Sequence, residues 1–563
     1  MKTTVGDLLV SRLAQLGVKH LFGVPGDFNL QFLDQIEKSG DMEFVGCCNE
    51  LNAAYAADGY ARVHGIAAVA TTYGVGDLSA ACGIGGAHAD HVPVVLVSGA
   101  PPLYAMRDGV PMHHSFGDGD YENFMECFRQ ICVDCTRLTP DNADLEITRI
   151  LDSCDRYKRP VYVQLPSDVS HVGIEVDSIE MKLDRRSNAE RLESAIAKAM
   201  ERWKAARRPA ILAGIDVKRL ALEAPLLEFA ELTGTPYALV LTARNMLPEL
   251  HSLFLGIYKG ALSDAKCRER IEKADFLITT SPRFIEINSG MYTQNLPRAG
   301  VVRLENDVVY VDGEAFYAVR PDEFLRGFTA ALRASGKLGK VHRYVHGKRP
   351  TVPRVRAKSA LTQERLWPRM AAFIEPGDVV LTEIGTSSLG IESQVLPPDI
   401  TYISSKFWGA IGFALPATLG AAIAAPERRT LLFIGDGSLQ VTAQELSTIF
   451  QLAEKTIIFV VNNRGYTIER CIFGMHAAYN DVHNWDYTML PAAFNGTDRC
   501  ATFKAGTEGE LEKVLKAAAS GSAPVTFVEL ALEPHDAPEM LKKFGPVAAE
   551  LDYGALGPQR ASA

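Results

Sequence analysis

Two short apolar runs late in the chain, 430–434 and 456–461, constrain the fold more than any other feature. Each has the length and aliphatic content of a strand that is buried on both faces. The segment 443–452 between them carries apolar residues at helical spacing. A strand, helix and second strand with this spacing bring the two strand ends together at one edge of a sheet. The sequence therefore predicts an α/β fold with parallel strands in this part of the chain.

Polar residues stand at the ends of both runs. Asp436 lies between Gly435 and Gly437 directly after the first run, and Asn462 and Asn463 follow the second. The first glycine allows a sharp turn, and the second allows a ligand to approach the backbone. A carboxylate, an amide oxygen and nearby carbonyl groups can hold Mg²⁺, which then bridges phosphates. The pattern therefore indicates a Mg²⁺ and phosphate site, although two strand ends with turn residues alone would give the same pattern.

The length of 563 residues exceeds what one hydrophobic core supports and predicts three or four domains. The net charge of −10 argues against nucleic acid as the main partner. No apolar run reaches the length of a membrane span, and residues 1–7 lack the apolar core of a signal peptide. Ten cysteines without such a signal favour reduced thiols, so we expect a cytoplasmic protein.

Alternating strand and helix patterns divide the chain into three blocks, 1–180, 190–340 and 358–563. We expect a doubly wound α/β domain in each block, with parallel sheets throughout. Between the last two blocks, residues 337–358 contain eight basic residues, two prolines and no acidic residue. We interpret this run as a solvated linker, and the alternative is a site for a polyanion.

A lone Cys-x-x-Cys pair, Cys132 and Cys135, raises the question of a zinc or redox site. The segment 131–138 has the pattern of a strand, on which residues three apart face opposite sides. No second pair with short spacing follows in the sequence. We therefore do not expect metal or redox chemistry at these cysteines.

Three polar features of the first block stand where predicted strands meet loops or helices. Asp27 ends the turn 23–27, and Glu50 opens a helix of mostly small residues against which another surface can pack closely. His113 and His114 lie in a loop beside a glycine-rich segment. An acid at a helix start can be a simple cap. Adjacent histidines could bind a metal, transfer protons or lie on the surface.

Together these residues resemble the thiamine diphosphate-dependent 2-oxo acid decarboxylases. That group includes pyruvate, indolepyruvate, phenylpyruvate and branched-chain 2-oxo acid decarboxylases. The resemblance covers nearly the whole chain. The metal motif alone would indicate only the cofactor, whereas the histidine pair with the segment 466–469 points to the decarboxylases. The segments that carry the resemblance are 24–27, 49–52, 113–114, 383–387, 408–412, 435–438 and 462–469.

The resemblance implies a pyrimidine-binding domain over 1–180, a central domain over 190–340 and a diphosphate-binding domain over 358–563. The cofactor would lie between the first domain of one subunit and the third domain of another. A homodimer is therefore the smallest active unit that we expect, and a homotetramer is the usual assembly. The other expected partner is a small 2-oxo acid, with no nucleic acid and no membrane.

The resemblance also implies the cofactor contacts. Asp436, Asn463 and the carbonyl group of Gly465 would ligate Mg²⁺. Ile411 would prop thiamine diphosphate in its bent form, and the carbonyl group of Gly409 would accept a hydrogen bond from its amino group. The remaining contacts, to the diphosphate and neighbouring atoms, would come from Glu50, Thr386, Ser387, Gly437, Ser438, Tyr466 and Thr467.

Five residues would act in catalysis by the same resemblance. Glu50 would protonate the pyrimidine ring of the cofactor, and the thiazolium would serve as the electron sink. Asp27, His114 and Glu469 are the candidate acids for the proton that must arrive before the aldehyde leaves. His113 would help to position them. Acids and histidines in a closed cleft can alter one another's proton affinity.

The chain departs from the family pattern around the substrate. Relatives commonly have Thr or Gln where this chain has Ile384, and an aromatic residue where it has Ser388. Phe544 and Ala548 fall where relatives place residues that cap the pocket. Ser388 and Ala548 free volume and favour an aromatic or longer aliphatic 2-oxo acid, whereas Ile468 argues mildly for a smaller one.

Several readings compete with this one. The chain could be a pyruvate decarboxylase, or a thiamine diphosphate carboligase of the acetolactate synthase type. A dehydrogenase is disfavoured because neither 74–79 nor 83–88 completes the dinucleotide-binding glycine pattern. A cofactor-binding scaffold protein would not need Glu50 or the histidine pair. Arg464 stands where relatives often have an acid, and could meet the diphosphate or face solvent.

Overall fold

The short apolar runs of the sequence form the strands of three sheets. The computed structural model describes residues 1–183, 185–336 and 351–554. We refer to the regions around the three sheets as the N-terminal, central and C-terminal units. Each sheet is flanked by helices, which confirms the predicted three-domain α/β class.

The N-terminal unit has a six-stranded parallel sheet in the order β3-β2-β4-β5-β7-β6, and β1 pairs with β8 in a separate antiparallel ribbon. Its strands are β1 (Lys2–Thr4), β2 (His20–Gly23), β3 (Glu43–Gly46), β4 (Ala67–Thr72), β5 (Val94–Ala100), β6 (Asp134–Arg137), β7 (Val161–Pro166) and β8 (Gly173–Glu175). Its helices are α1 (Val5–Gln15), α2 (Leu30–Ser39), α3 (Glu50–His64), α4 (Val75–Ala89), α5 (Leu103–Asp108), α6 (Asn123–Arg129) and α7 (Ala143–Tyr157).

The central unit has a seven-stranded sheet in the order β11-β10-β9-β12-β13-β14-β15. Its strands are β9 (Pro209–Ala213), β10 (Tyr237–Val240), β11 (Phe254–Tyr258), β12 (Phe276–Thr280), β13 (Val301–Glu305), β14 (Val308–Val311) and β15 (Glu314–Tyr317). Its helices are α8 (Ala189–Ala205), α9 (Asp216–Arg219), α10 (Glu223–Thr233), α11 (Ala265–Glu272), α12 (Glu286–Ser289) and α13 (Pro321–Ser335), with a 3₁₀ turn at Leu241–Ala243.

The C-terminal unit has a six-stranded parallel sheet in the order β17-β16-β18-β19-β21-β20. Its strands are β16 (Val379–Thr382), β17 (Thr401–Ile403), β18 (Thr430–Gly435), β19 (Thr456–Asn462), β20 (Cys500–Ala505) and β21 (Val525–Ala531). Its helices are α14 (Gln363–Phe373), α15 (Thr386–Ile391), α16 (Ala414–Ala424), α17 (Asp436–Thr442), α18 (Leu446–Leu452), α19 (Thr467–Ile472), α20 (Leu490–Ala493), α21 (Glu508–Ala519) and α22 (Glu539–Tyr553). Three 3₁₀ turns lie at Ala443–Glu445, Ala478–Asn480 and Tyr487–Met489.

The prediction of parallel sheets throughout is wrong at one edge of the central unit. There β13, β14 and β15 form an antiparallel meander. Two residues join each pair of strands, and a link that short cannot make the crossover that parallel strands require. At the second link Asp312 and Gly313 both have positive φ, as a two-residue hairpin turn demands.

The predicted helix over 443–452 differs from the observed one. Helical structure begins earlier, with α17 at Asp436, and a 3₁₀ turn at Ala443–Glu445 separates α17 from α18. The break falls at Thr442, whose φ of −133° is not helical. Its hydroxyl donates to the carbonyl oxygen of Gly412 at 2.8 Å, so a contact with another loop competes with helix continuity.

The predicted strand over 131–138 is also too long. Strand β6 begins at Asp134, and Cys132 lies in the preceding bend. Cys132 therefore lies outside the strand, and Cys135 acts together with burial on the pKa of the Cys132 thiol. Burial raises the pKa of Cys132 well above its ordinary value, so this thiol is held in its unreactive neutral form.

Helix α3 of the N-terminal unit packs directly on α16 of the C-terminal unit, and both belong to one buried apolar cluster. A Cβ atom at Gly59 would lie 2.2 Å from the carbonyl oxygen of Ala417, and one at Gly420 would lie 1.8 Å from that of Ala56. The predicted close packing on the small residues of α3 is therefore confirmed. It joins the two units that carry the residues expected to be functional.

Part of the basic run falls outside the described residues, which leave out 184, 337–350 and 555–563. The rest of the run is tied to the C-terminal unit, because the backbone N–H group of Arg356 donates to Glu508 at 2.8 Å. All ten cysteines are described, and each is a free thiol. Within the described ranges, no helix is long and apolar enough to cross a membrane.

Candidate active site

A cleft of about 410 Å³ opens at the carboxyl edge of the C-terminal sheet. It is built from the segments that follow β16, β17, β18 and β19, because parallel strands deliver their carboxyl ends to one edge. Thirteen residues singled out in the sequence line it, namely Ile384, Thr386, Gly409, Ile411, Asp436, Gly437, Ser438, Asn463, Gly465, Tyr466, Thr467, Ile468 and Glu469.

Asp436, the first residue of α17, supplies the acidic end of the cleft. Its carboxylate accepts hydrogen bonds from the backbone N–H groups of Gly437 at 2.8 Å and Gly465 at 3.2 Å. Burial raises the pKa of Asp436 to about 6, although these backbone hydrogen bonds act to lower it. A buried carboxylate held in this way is stabilised in its charged form by a bound cation.

The two adjacent asparagines have different roles. Asn462 donates its amide to Asn484 at 2.9 Å and to Glu529 at 2.8 Å, so it fastens the end of β19 to neighbouring segments. Asn463 and Gly465 instead line the cleft together with Asp436. The set of one carboxylate, one amide and one backbone carbonyl therefore fits a hard cation such as Mg²⁺.

Arg470, to which the sequence assigned no role, holds the loop that carries this set. Its side chain is buried and donates to the carbonyl oxygens of Asn463 at 3.3 Å and Arg464 at 2.9 Å. It also forms an ion pair with Asp481 at 2.6 Å. A Cβ atom at Gly465 would lie 2.3 Å from the guanidinium group, so glycine is needed there for the loop to pass. Nothing in the local sequence distinguishes this arginine from an exposed one.

Small and hydroxyl-bearing residues form the opposite wall of the cleft. Gly385 has a φ of 121°, which favours glycine, and it turns β16 into α15. In the first turn of α15, the hydroxyl oxygen of Ser387 is buried without a hydrogen-bond partner. A Cβ atom at Gly437 would lie 2.5 Å from the ring of Tyr466. The backbone of residue 437 is therefore accessible from the cleft only because the residue is glycine. An unpartnered hydroxyl and bare backbone fit an anionic group such as a diphosphate.

Glu383, fully buried at the end of β16, fixes the loop that carries Gly409 and Ile411. Its carboxylate accepts hydrogen bonds from the backbone N–H groups of Gly412 and Ala414, both at 3.1 Å. Burial raises the pKa of Glu383 to about 7. Ile411 is left 38% exposed in the cleft, where an isolated apolar side chain can support a ligand ring.

The N-terminal unit brings Asp27, His113 and His114 together, an arrangement that only the family resemblance had implied. The Nε2 atom of His113 lies 2.8 Å from one carboxylate oxygen of Asp27. The Nε2 atom of His114 lies 3.9 Å from the other. All three side chains are partly exposed, so a small molecule can reach them.

Glu50 opens α3, where Asn49 caps the helix by accepting a hydrogen bond from the N–H group of Asn52. The Glu50 carboxylate lies against Gly76, at which a Cβ atom would be 3.1 Å from it. The helix start is held from the C-terminal unit by Glu445, which is fully buried and accepts a hydrogen bond from the Asn52 side chain at 2.8 Å. Glu50 itself is half-buried and not engaged as the cap.

The two groups of candidate residues do not meet in the same cleft of one chain. The residues that line the cleft all come from the C-terminal unit. Asp27, Glu50, His113 and His114 are not among them. The chain therefore carries two separate sets, one suited to a metal and an anion and the other suited to proton transfer.

The proposed substrate-pocket residues are distributed unevenly. Ile384 and Ile468 line the cleft, whereas Ser388, Phe544 and Ala548 do not. Ser388 is fully buried and its hydroxyl donates to the carbonyl oxygen of Gly385 at 3.3 Å. Ile468 and Phe544 pack against a small buried cluster of Leu389, Ala537 and Leu541.

Glu469 and Arg464 lie close in sequence but differ in setting. Glu469 lines the cleft on α19, and partial burial and the negative charge of Asp552 raise its pKa. Arg464 has an exposed side chain and a left-handed φ of 57°. Within this chain Arg464 faces solvent, and its carbonyl oxygen is used by Arg470.

Three family models of thiamine pyrophosphate (thiamine diphosphate) enzymes match the chain. The N-terminal thiamine pyrophosphate-binding domain matches residues 3–122, the central domain matches 196–316, and the C-terminal thiamine pyrophosphate-binding domain matches 383–529. The two binding domains therefore coincide with the two units that carry the candidate residues.

Curated relatives match over nearly the full length. The chain is 38% identical over 564 residues to an alpha-keto-acid decarboxylase of Mycobacterium tuberculosis, covering 99% of this chain and 98% of the relative. It is also 38% identical over 538 residues to the alpha-keto-acid decarboxylases of Mycobacterium leprae and Mycobacterium avium. Those two matches cover 96% of this chain and 94% and 95% of the relatives.

Proposed function

Because the chain belongs to the thiamine diphosphate-dependent 2-oxo acid decarboxylases, we propose that it releases CO₂ from an aromatic or longer aliphatic 2-oxo acid and yields the aldehyde. One observation carries the proposal. The cleft at the carboxyl edge of the C-terminal sheet joins the Asp436 end, suited to a metal, to the Glu469 end, suited to proton transfer. The apolar side chains of Ile384, Ile411 and Ile468 line the same cleft.

Mg²⁺ would be held by Asp436, Asn463 and the carbonyl group of Gly465. The buried carboxylate of Asp436 and the oxygen-only donor set support this assignment. Thr386, Ser387, Gly437 and Ser438 would hold the diphosphate together with backbone N–H groups. The place of three of them in the cleft lining and the unpartnered hydroxyl of Ser387 support this. Arg470 would fix the metal loop without contacting the metal.

The cofactor would supply a thiazolium ring that accepts the electron pair left when CO₂ departs. Ile411 would support the bound cofactor, and the backbone carbonyl group of Gly409 would accept a hydrogen bond from the cofactor's amino group. Glu50 would hold a proton at the pyrimidine ring. Tyr466 and Thr467 would close the wall beside the diphosphate.

The proton that completes the aldehyde would come from Asp27, His114 or Glu469. The raised pKa of Glu469 supports a role as an acid, because more of it is protonated near neutral pH. His113 would orient Asp27 through its 2.8 Å contact. Apolar side chains around these groups would exclude water during the reaction.

A homodimer would be the smallest active unit, with a homotetramer as the working assembly. The lining of the cleft by the C-terminal unit alone supports this, because Glu50 and the histidines must then reach it from a second chain. We place the enzyme in the cytoplasm, since ten free thiols suit a reducing compartment.

The substrate would lie between Ile384, Ile468 and Glu469. Ile384, an apolar side chain where relatives commonly have Thr or Gln, supports an apolar substituent, whereas Ile468 argues mildly for a smaller one. Pyruvate is the second candidate, because Ser388 is buried and does not line the cleft. An extra methylene is worth only about 1–3 kcal/mol of discrimination, so the choice depends on the whole pocket.

The test is aldehyde formation in a coupled alcohol dehydrogenase assay with Mg²⁺ and thiamine diphosphate. We would compare kcat/KM for pyruvate, 2-oxoisovalerate, 4-methyl-2-oxopentanoate, phenylpyruvate and indolepyruvate. The proposal expects the bulky acids to give the highest values. A profile dominated by pyruvate would support the second candidate, and no aldehyde from any of the five acids would contradict the decarboxylase activity itself.

A further inference from the structure

Asp27, His113 and His114 form a compact cluster of metal-binding atoms. One carboxylate oxygen and one ring nitrogen from each histidine all lie within 4.8 Å of one another. Within residues 1–183, 185–336 and 351–554, no other three His, Cys, Asp or Glu side chains converge in this way. The oxygen-lined site around Asp436 has a different chemistry, because it offers no imidazole or thiolate.

Backbone conformation explains how two consecutive histidines face one carboxylate. His114 has a φ of 64°, in the left-handed region that non-glycine residues rarely adopt. This kink turns both rings to the same side, with their centroids 4.5 Å apart. Such strain persists only where surrounding structure holds it, and it is concentrated at functional sites.

Phe28 fixes the rings in this arrangement. Its side chain is buried and stacks on His113 with centroids 4.9 Å apart, and it meets His114 edge-on at 6.1 Å. The metal-binding atoms remain accessible, since the side chains of Asp27, His113 and His114 are 51%, 55% and 31% exposed. Phe28 therefore packs against both histidine rings, while the metal-binding atoms of the cluster are accessible to solvent.

We propose that Asp27, His113 and His114 form a binding site for a divalent transition-metal ion of the zinc type, and that this ion inhibits the enzyme. Zinc binds two imidazoles and one carboxylate with water in the fourth position. Its bond lengths place neighbouring ligand atoms about 3.4 Å apart. The observed 2.8 and 3.9 Å distances bracket that spacing, so small side-chain movements suffice. Mg²⁺ does not compete, because it prefers oxygen ligands.

Inhibition follows from what the ion would occupy, and this part rests on the proposed function. A metal at the cluster takes the Nε2 atoms of both histidines and a carboxylate oxygen of Asp27. Those atoms can then neither hold nor transfer a proton. Under the proposed function these side chains meet the 2-oxo acid in the assembled site, so the ion would also occupy space that the substrate needs. We expect inhibition that high substrate concentrations relieve and that excess Mg²⁺ does not.

The binding test uses Co²⁺ as a spectroscopic stand-in for Zn²⁺, added to enzyme already saturated with Mg²⁺ and thiamine diphosphate. Nitrogen-bound, four-coordinate Co²⁺ gives intense visible absorption, whereas Co²⁺ in a six-coordinate oxygen site gives only weak bands. We expect one intense-absorbing Co²⁺ per chain, displaced by Zn²⁺. Weak bands alone would overturn the proposal, whether or not the enzyme decarboxylates anything.

Variants assign the signal to the cluster. His113→Gln with His114→Gln should lower Co²⁺ affinity at least tenfold, while Mg²⁺-dependent binding of thiamine diphosphate, followed by fluorescence, reports that the variant is folded. The matched control is His476→Gln with His535→Gln, an exposed pair of rings 4.9 Å apart outside the cluster. Loss of the signal in the control, or its retention in the cluster variant, would contradict the assignment.

Zn²⁺ inhibition is then measured in the wild-type enzyme. Competition with the 2-oxo acid, with a Zn²⁺ inhibition constant equal to the Zn²⁺ dissociation constant from Co²⁺ displacement, supports the inhibitory role. If Zn²⁺ binds the cluster but turnover is unchanged, the inhibition half of the proposal is wrong and the site itself stands.

Discussion

At the scale of single residues, each candidate group depends on a neighbour that holds it. Asp436 is held by backbone N–H groups, the 463–465 loop by Arg470, and the loop that carries Ile411 by Glu383. The supporting residues are buried, whereas several of the groups they support face the cleft. Substitution of a supporting residue should therefore change binding or pH behaviour before it changes chemistry.

Glu50→Gln should lower turnover by about 10²–10⁴-fold, because the amide cannot hold the proton that the pyrimidine ring requires. The fold should be intact, since Asn49 rather than Glu50 caps α3. The measurement is kcat for the best 2-oxo acid together with a thermal melt. Glu126→Gln, at an exposed position of α6, is the control and should be active. Turnover of Glu50→Gln close to that of the wild type would contradict the role of Glu50.

Arg470→Met should raise the Mg²⁺ concentration needed for half-maximal cofactor binding by about 10–100-fold, because the loss of charge-assisted hydrogen bonds leaves the loop carbonyls unheld. Arg464→Met removes the same charge from the same loop but only an exposed side chain, and should have little effect. Mg²⁺ titrations of thiamine diphosphate binding by fluorescence compare the two. Equal shifts would mean that charge, and not the hydrogen bonds, matters.

Glu383 should make stability depend on pH. Its pKa is raised to about 7 in the folded chain, above the ordinary value of the unfolded chain. Its stabilising contribution is therefore complete at pH values below the unfolded pKa and is lost as pH rises through about 7. Over that window the wild type should lose on the order of 3 kcal/mol that Glu383→Gln does not lose. Urea unfolding at several pH values tests this, and parallel stability curves for the two proteins would contradict it.

At the scale of elements, sequence patterns locate strands well and contacts between elements poorly. The runs at 430–434 and 456–461 lie within β18 and β19, and the small-residue helix is α3. The start of α17 at Asp436 was missed, because apolar periodicity marks buried faces and not the first turn of a helix. The meander of β13, β14 and β15 was missed because strand-like runs do not reveal pairing direction.

Part of the candidate site could likewise be predicted from the sequence, and part could not. Glycines, acids and asparagines at strand ends predicted the lining of the cleft, because parallel topology forces those ends together. Arg470, Glu383 and Glu445 were not assigned roles, because their partners are set by tertiary packing. Ser388, where the sequence predicted extra volume, is buried and does not line the cleft, and its hydroxyl donates to the backbone at its own helix start.

Gly420→Ala should lower the free energy of unfolding by at least about 1–3 kcal/mol, because the new methyl group would overlap the backbone of α3. Gly173→Ala in β8 is the control, since its nearest neighbour would be 4.0 Å away. The free energy of unfolding from urea titration compares the two. Equal stability of Gly420→Ala and Gly173→Ala would show that α3 and α16 can separate at no cost.

At the scale of the whole molecule, the division of the candidate residues between units predicts complementation between chains. Glu50→Gln and Asp436→Ala should each be inactive alone. Mixed dimers would contain one site with both substitutions and one wild-type site. Random reassociation of an equal mixture should therefore restore roughly a quarter of wild-type activity.

Co-expression of the two variants with different affinity tags, followed by purification on both tags, isolates the mixed dimers, which should have roughly half of wild-type activity because one of their two sites is wild type. Two wild-type chains carrying the same tags set the reference activity. If each site were formed within one chain, every site in the mixed dimer would carry one substitution, and the activity would be as low as in either variant alone.

The fit between α3 and α16 has a consequence for how the chain can be cut and rejoined. These helices hold the first and last units to each other directly, although residues 189–335 stand between those units in sequence. The central unit is thus an insertion in sequence between two halves that already recognise each other. Two separately expressed fragments, each carrying one of the two helices, should associate through α3 and α16 without a covalent link.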